Sequence, residues 1–167
     1  MTSAKLEKVY DAHATGLFHY LVSFTRCESD ARDLLQELFI KLARGVKPGA
    51  LSEKAFLYRI AHNLAIDWLR RRSAQKDAQE RLSKELDTTP RWTDSRDDAV
   101  LAAGFARAMQ SLPQEQMTVV QLKLIDGLTF DEIAAVQGVP LNTAASRWRY
   151  AIERLRSILR PLYEEIQ

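Results

Sequence analysis

Residues 129–159 read TFDEIAAVQGVPLNTAASRWRYAIERLRSIL, and the organisation of the chain follows from this stretch. Thr129 with Glu132 three positions on is a capping box: the Thr hydroxyl accepts an N–H of the first turn and the Glu carboxylate reaches back to the cap. A helix therefore begins here. Ile133, Ala134 and Val136 give it an apolar side. Gly138 then supplies a residue that adopts positive φ without a Cβ clash, as a sharp helix exit requires. Pro140 biases Val139 out of the helical region and stops read-through. From Asn142 a second helix resumes, with Ala144, Trp148, Ile152, Leu155 and Leu159 on one side and Ser146, Arg147, Arg149, Tyr150 and Arg154 over the rest. Short helix, glycine turn and longer polar helix make a helix-turn-helix.

In that motif the second helix enters the DNA major groove with residues of its N-terminal half at base edges. The arginine fork pairs with guanine acceptors, and Ser and Asn make shorter contacts. Five arginines between Arg147 and Arg160 are also what a solvated helix face carries, and the motif occurs in proteins that never touch DNA. Cap, turn, basic helix and small Ala residues for close packing agree with one another, which favours DNA.

The chain has 167 residues, room for one ordinary domain or two small ones. With 46% hydrophobic and 28% charged residues and few Gly and Pro, it is expected to be all-α. No apolar run approaches the about 20 residues of a membrane span, and no signal segment opens the chain, so no membrane insertion and a cytoplasmic location are expected. Cys27 is alone, which excludes an internal disulfide and suits a small core side chain. The formal net charge is only +2, so affinity for nucleic acid has to come from where charge sits.

Ahead of the motif, Leu6, Val9, Tyr10, Leu17, Tyr20, Leu21 and Phe24 form a helical stripe from Ala4 to about Thr25, with Gly16 weakening its middle. Ser29 is placed to cap the next helix, where Ala31, Leu34, Leu35, Leu38, Phe39 and Leu42 recur at spacings of three and four. Its other face carries Asp30, Arg32, Asp33, Gln36, Glu37 and Lys41, and it ends near Gly45. After a loop at Lys47-Pro48-Gly49-Ala50, Ser52 and Glu53 open a third helix with Leu57, Ile60, Ala61, Leu64 and Trp68 inward. Opposite them lie Arg59, Asn63, Ile66 and Arg70, flanked by Tyr58 and His62, and the helix is expected to end at Arg70-Arg71-Arg72. Basic residues at a helix C-terminus suit the macrodipole without any ligand. A row of Asn and Arg beside aromatic rings is also what unpaired DNA uses for phosphate contact, base hydrogen bonding and stacking.

Residues 73–98 lose the pattern and read as a polar linker with a transient helix around residues 78–86. About 25 extended residues reach on the order of 80 Å. The expected domains are 1–73 and 98–167, two small helical bodies joined by a flexible linker over 74–97. Helix returns at Ala99. Pro113 starts another helix with Met117, Val120 and Leu124 inward, and Asp126-Gly127 closes it.

The blocks SDARDLLQELFIKL, FLYRIAHNLAIDWLRRR and LPQEQMTVVQLKLIDGLTFDEIAAVQGVPLNTAASRWRYAIERLR, in this order and spacing, resemble the extracytoplasmic-function sigma factors, small two-domain specificity subunits of bacterial RNA polymerase. The resemblance implies transcription initiation with no chemistry of its own and no cofactor, with core RNA polymerase and promoter DNA as partners. It assigns Asp30, Asp33, Gln36 and Glu37 to docking on the basic side of a coiled coil in the polymerase core. It assigns Asn63 to a flipped base of the melted minus-ten element, with Tyr58, Arg59 and Arg70 holding strand and backbone. The last helix would read the minus-thirty-five element as duplex through Asn142, Ser146, Arg147, Arg149 and Tyr150. An anti-sigma factor or a modifying kinase is the kind of regulator such a chain meets.

Arg32 stands where the family usually has an acidic residue, which weakens the inferred docking face and implies docking conditional on a modification or partner that restores negative charge. Ala145 and Tyr150 stand where basic residues are common, so the promoter sequence is expected to be its own. A helix-turn-helix regulator acting without polymerase explains the last block equally well and leaves Arg59, Asn63 and the Arg70 to Arg72 run unexplained. An enzyme finds little support: His13, His19 and His62 lack metal-ligand spacing, no glycine loop cradles a phosphate, and Cys27 has no evident base.

Overall fold

The computed structural model describes residues 2–76 and 96–166, which form seven α-helices and one π-helical turn, with no strand among the described residues. They divide into two units, one centred on the first three helices and one on the last four. The expected helix around residues 78–86 lies outside the described residues.

In the first unit α1 (Ser3–Thr25) packs on both α2 (Glu28–Ala43) and α3 (Glu53–Lys76), which also touch each other. The α1 stripe is the expected one at Val9 and from Leu17 onward, with Leu17, Tyr20 and Leu21 fully buried, whereas Tyr10, expected on it, is 51% exposed. Tyr20 is the hub: its ring meets Phe24 at 5.1 Å and Tyr58 at 5.2 Å, both edge-on, and its hydroxyl lies 2.9 Å from His62 Nδ1. Edge-on aromatic pairs of this kind contribute about 0.5 to 1.5 kcal/mol beyond area burial. Arg26, at φ 50, ends α1 in the left-handed region.

Two local readings change. Cys27, not Ser29, is the N-cap of α2, because Thr25 Oγ1 bonds both the N–H and the carbonyl of Cys27 and fixes the chain's entry two residues earlier. The cap of α3 is the expected Ser52, whose Oγ accepts the Ala55 N–H at 3.2 Å. That helix runs past Arg72 to Lys76, as nothing in Ser73-Ala74-Gln75 breaks a helix.

In the second unit α4 (Arg96–Ser111) and α5 (Gln114–Val120) both pack on the long α7 (Leu141–Ile166), with α6 (Phe130–Gln137) before it. Ala108, Met109, Leu112, Met117, Val120, Ala151 and Leu155 form the core, with Trp148 and Ile152 packed at its edge. Pro113 caps α5 from just outside it.

After Val120 the backbone widens into a π turn over Gln121–Ile125, seen in the Asp126 N–H to Gln121 carbonyl bond of 3.1 Å. This overturns the expectation that Leu124 points inward. The wider turn rotates the following side chains, so Leu122 is fully buried and Leu124 is 56% exposed. Gly127, at φ 71, then turns the chain, and the Leu128 N–H closes on the Leu122 carbonyl at 2.9 Å.

Candidate nucleic-acid interface

The helix-turn-helix is built as its sequence dictates. Thr129 N–H donates to Glu132 Oε2 at 3.1 Å, and Glu132 N–H donates to Thr129 Oγ1 at 3.2 Å, the two halves of the capping box. Ile133 is fully buried, Gly138 makes the exit at φ 67, and the Val139 N–H bonds the Ala134 carbonyl at 3.0 Å. The Pro140 carbonyl then receives the Thr143 and Ala144 N–H groups, so α7 starts at Leu141, one residue before the expected Asn142. It also runs beyond Leu159, through Pro161, to Ile166.

Buried Ala144, Ala151 and Leu155 fix which side of α7 faces the core. Asn142, Ser146 and Arg149 fall at spacings of four and three on the opposite side; Asn142 and Arg149 are exposed and Ser146 is half-buried. Tyr150 flanks them, 56% exposed, with the Arg149 guanidinium 5.5 Å from its ring centre. Arg147 is set apart. Its side chain is 22% exposed, and its Nη2 lies 3.7 Å from Glu115 Oε2 in the first turn of α5.

On α3 the structure brings Arg59, Asn63 and Arg70 into one exposed row, with Ile66 half-buried between them. The row lies opposite buried Leu57, Ala61 and Leu64. Tyr58 does not join it. At 2% exposure and edge-on to Tyr20, it has no surface to offer a DNA strand, and the strand contact expected of it is corrected to packing against α1. Near the C-terminal end, the Arg72 guanidinium lies 5.0 Å over the Trp68 ring and Arg71 Nε donates to the Asp67 carbonyl at 3.4 Å. The basic run is therefore partly held by its own helix.

On α2, Asp33, Gln36 and Glu37 are exposed and Asp30 is half-buried. Arg32 Nη2 lies 3.3 Å from Glu28 Oε2 across one turn. Spacing alone missed Ile40, 44% exposed at the centre of this polar face. The apolar run Leu38-Phe39-Ile40 hid it, since one helical stripe accommodates only part of such a run. Beside it an open groove of about 520 Å³ is lined by Leu6 and Tyr10 of α1 and by Leu35, Phe39 and Ile40 of α2. Among the described residues no cluster of three His, Cys, Asp or Glu could hold a metal ion.

Residues 9–75 match the Sigma-70 region 2 family and residues 108–157 match Sigma-70, region 4. The sigma-E factor of Escherichia coli K12 is 31% identical over 153 residues, covering 85% of this chain and 80% of that protein. That of Haemophilus influenzae is 29% identical over 164 residues, covering 92% and 85%. The sigma factor SigE of Mycolicibacterium smegmatis is 34% identical over 154 residues, and the chain spans 58% of its length. Two solved structures share the fold. The sigma factor RpoE bound to the anti-sigma factor NepR from Bartonella quintana superposes with a TM-score of 0.78 at 19% identity, over 93% of this chain and 97% of that one. CnrH in complex with the cytosolic domain of CnrY gives 0.66 at 21%, over 96% and 90%. A regulator acting without polymerase would account for the region 4 match and leave residues 9–75 without a purpose. With both regions matched in order and most of the E. coli relative covered, the chain belongs to the extracytoplasmic-function sigma factors of RNA polymerase.

Proposed function

We propose that the chain selects promoters by two readings made at once while fastened to core RNA polymerase. As a sigma factor it directs the polymerase to promoters and contributes no chemical step. The α3 row takes the melted minus-ten element, with Asn63 on the pairing edge of an extruded base and Arg59 and Arg70 on the backbone. The outward face of α7, Asn142, Ser146, Arg149 and Tyr150, takes the minus-thirty-five duplex. Arg147, on the flank and tied to Glu115, is placed for the sugar–phosphate and not for a base edge. Asp30, Asp33, Gln36 and Glu37 on α2 dock on the polymerase, with Ile40 as the apolar centre of that contact.

The observation that carries this reading is the α3 row: an exposed line of Arg, Asn and Arg lying across the helix from the core, on a helix that is no part of the helix-turn-helix. The reading places the chain in the cytoplasm, where the polymerase works; no described helix is long and apolar enough to cross a membrane. The two solved relatives were captured with anti-sigma partners, and control of this chain by such a partner or by a kinase is part of the same proposal. The proposed domain limits are 1–73 and 98–167, with α3 and α4 extending a few residues into the 74–97 segment. Purified chain mixed with core polymerase should initiate run-off transcripts at discrete sites. A chain that binds duplex DNA yet leaves the core enzyme inactive would refute the reading.

A further inference from the structure

Arg147 and Arg149 both lie in the N-terminal half of α7, and their surroundings differ. Arg147 is only 22% exposed and leans toward α5, its Nη2 3.7 Å from Glu115 Oε2. Arg149 is exposed, and among the described residues no carboxylate pairs with it. Its guanidinium sits instead 5.5 Å from the centre of the Tyr150 ring. A ring face attracts a guanidinium through its quadrupole and leaves the N–H donors unspent, so the planar fork of five donors remains available. Successive residues lie about 100° apart around a helix, which puts Ser146 between Arg149 and Tyr150. The ring therefore draws the fork over the middle of the outward face, along the line of Asn142 and Ser146.

We propose that Arg149 is the guanine-reading fork of this helix, bidentate to O6 and N7, and that Tyr150 is its positioning residue. Pairing with a carboxylate would consume the donors that a guanine needs; stacking on a ring orients them and excludes water from one side of the fork. Tyr150 acts through Arg149, and its hydroxyl plays no part. The proposal rests on the assignment of α7 to the upstream duplex.

The test assembles holoenzyme from the full chain and core polymerase and offers it a duplex library randomised across the upstream element, with the rest of the promoter fixed. One position should prefer guanine. Arg149→Ala should remove that preference, a loss of about 5- to 100-fold in discrimination. Tyr150→Ala should lower it by a factor of about 3 to 10, and Tyr150→Phe, which keeps the ring and drops the hydroxyl, should retain it. The proposal is overturned if Tyr150→Phe does the same damage as Tyr150→Ala, if Tyr150→Ala leaves the preference intact while Arg149→Ala removes it, or if Arg147→Ala removes it in place of Arg149→Ala. If no substitution at Asn142, Ser146, Arg149 or Tyr150 alters preference at any position, the assignment of α7 to duplex DNA fails, and the proposal with it.

Discussion

Arg32 brings a positive charge next to Asp33, Gln36 and Glu37 on the polar face of α2, and its guanidinium rests on Glu28 with both side chains largely in solvent, at 69% and 55% exposure. An exposed pair one turn apart contributes only about 0.3 to 0.5 kcal/mol, so Arg32 is not locked away from a docking partner. Against a basic surface, Arg32→Glu reverses a repulsion and should raise affinity for core polymerase by about five- to thirty-fold at low salt, less as salt rises. Arg32→Gln should fall between, both read by titrating labelled chain with core enzyme; equal affinities for all three would remove this part of α2 from the docking surface. If the two proposed DNA faces read as assigned, their residues separate by the step they affect. Asn63→Ala should reduce permanganate reactivity of the opened strand more than it weakens closed-complex binding in the cold. Arg147→Ala should weaken duplex binding by about 1 kcal/mol with little change in sequence preference, as loss of a phosphate contact does. The positions of Arg59, Asn63 and Arg70 were legible because a 3.6-residue period fixes the side opposite a core stripe. That of Tyr58 was not. Helix α3 packs on both α1 and α2, so its buried arc is wider than one stripe and takes in Phe56 and Tyr58 as well as Leu57.

At the level of elements, local chemistry determined the helix ends wherever a side chain makes the cap. The Thr129 and Glu132 bonds close as the spacing requires, and Thr129→Ala should destabilise α6 by about 0.5 to 2 kcal/mol. Faster hydrogen exchange at the α6 amides, with α1 to α3 unaffected, is the signature to look for. Gly138→Ala should be costly too, by about 1 kcal/mol, because at φ 67 the chain turns where a Cβ is strained and no neighbouring atom lies within 4 Å to complicate the comparison. The π turn left no mark in the sequence. Its residues, QLKLI, have ordinary helical propensity, and the widened turn falls where Leu122 and Leu128 are both buried and the chain turns at Gly127. Tertiary demand of this kind is invisible to a periodic template. The candidate sites were more legible than this joint because they lie on regular stretches of α3 and α7, where register carries straight through.

Across the whole molecule, selectivity has to arise from combination, since a formal net charge of +2 gives no general attraction to DNA and each proposed reading face is one short row on one helix. The two units are expected to bind DNA poorly by themselves; joined through one polymerase, the second contact becomes intramolecular, which raises avidity by about 10² to 10⁴. Covalent continuity between the units is then as important as any contact residue. A protease site placed within residues 77–95 and cut after holoenzyme has formed leaves every side chain of both faces present and changes only the tether. If the tether supplies the effective concentration, cutting should lower promoter-dependent initiation by a large part of that factor at dilute promoter, while transcription from a template carrying a pre-opened bubble falls far less, because the minus-ten reading alone suffices there. If cut and uncut chains initiate equally well at every promoter concentration, each unit is held by the polymerase strongly enough that the connection is dispensable, and the two readings add as independent events.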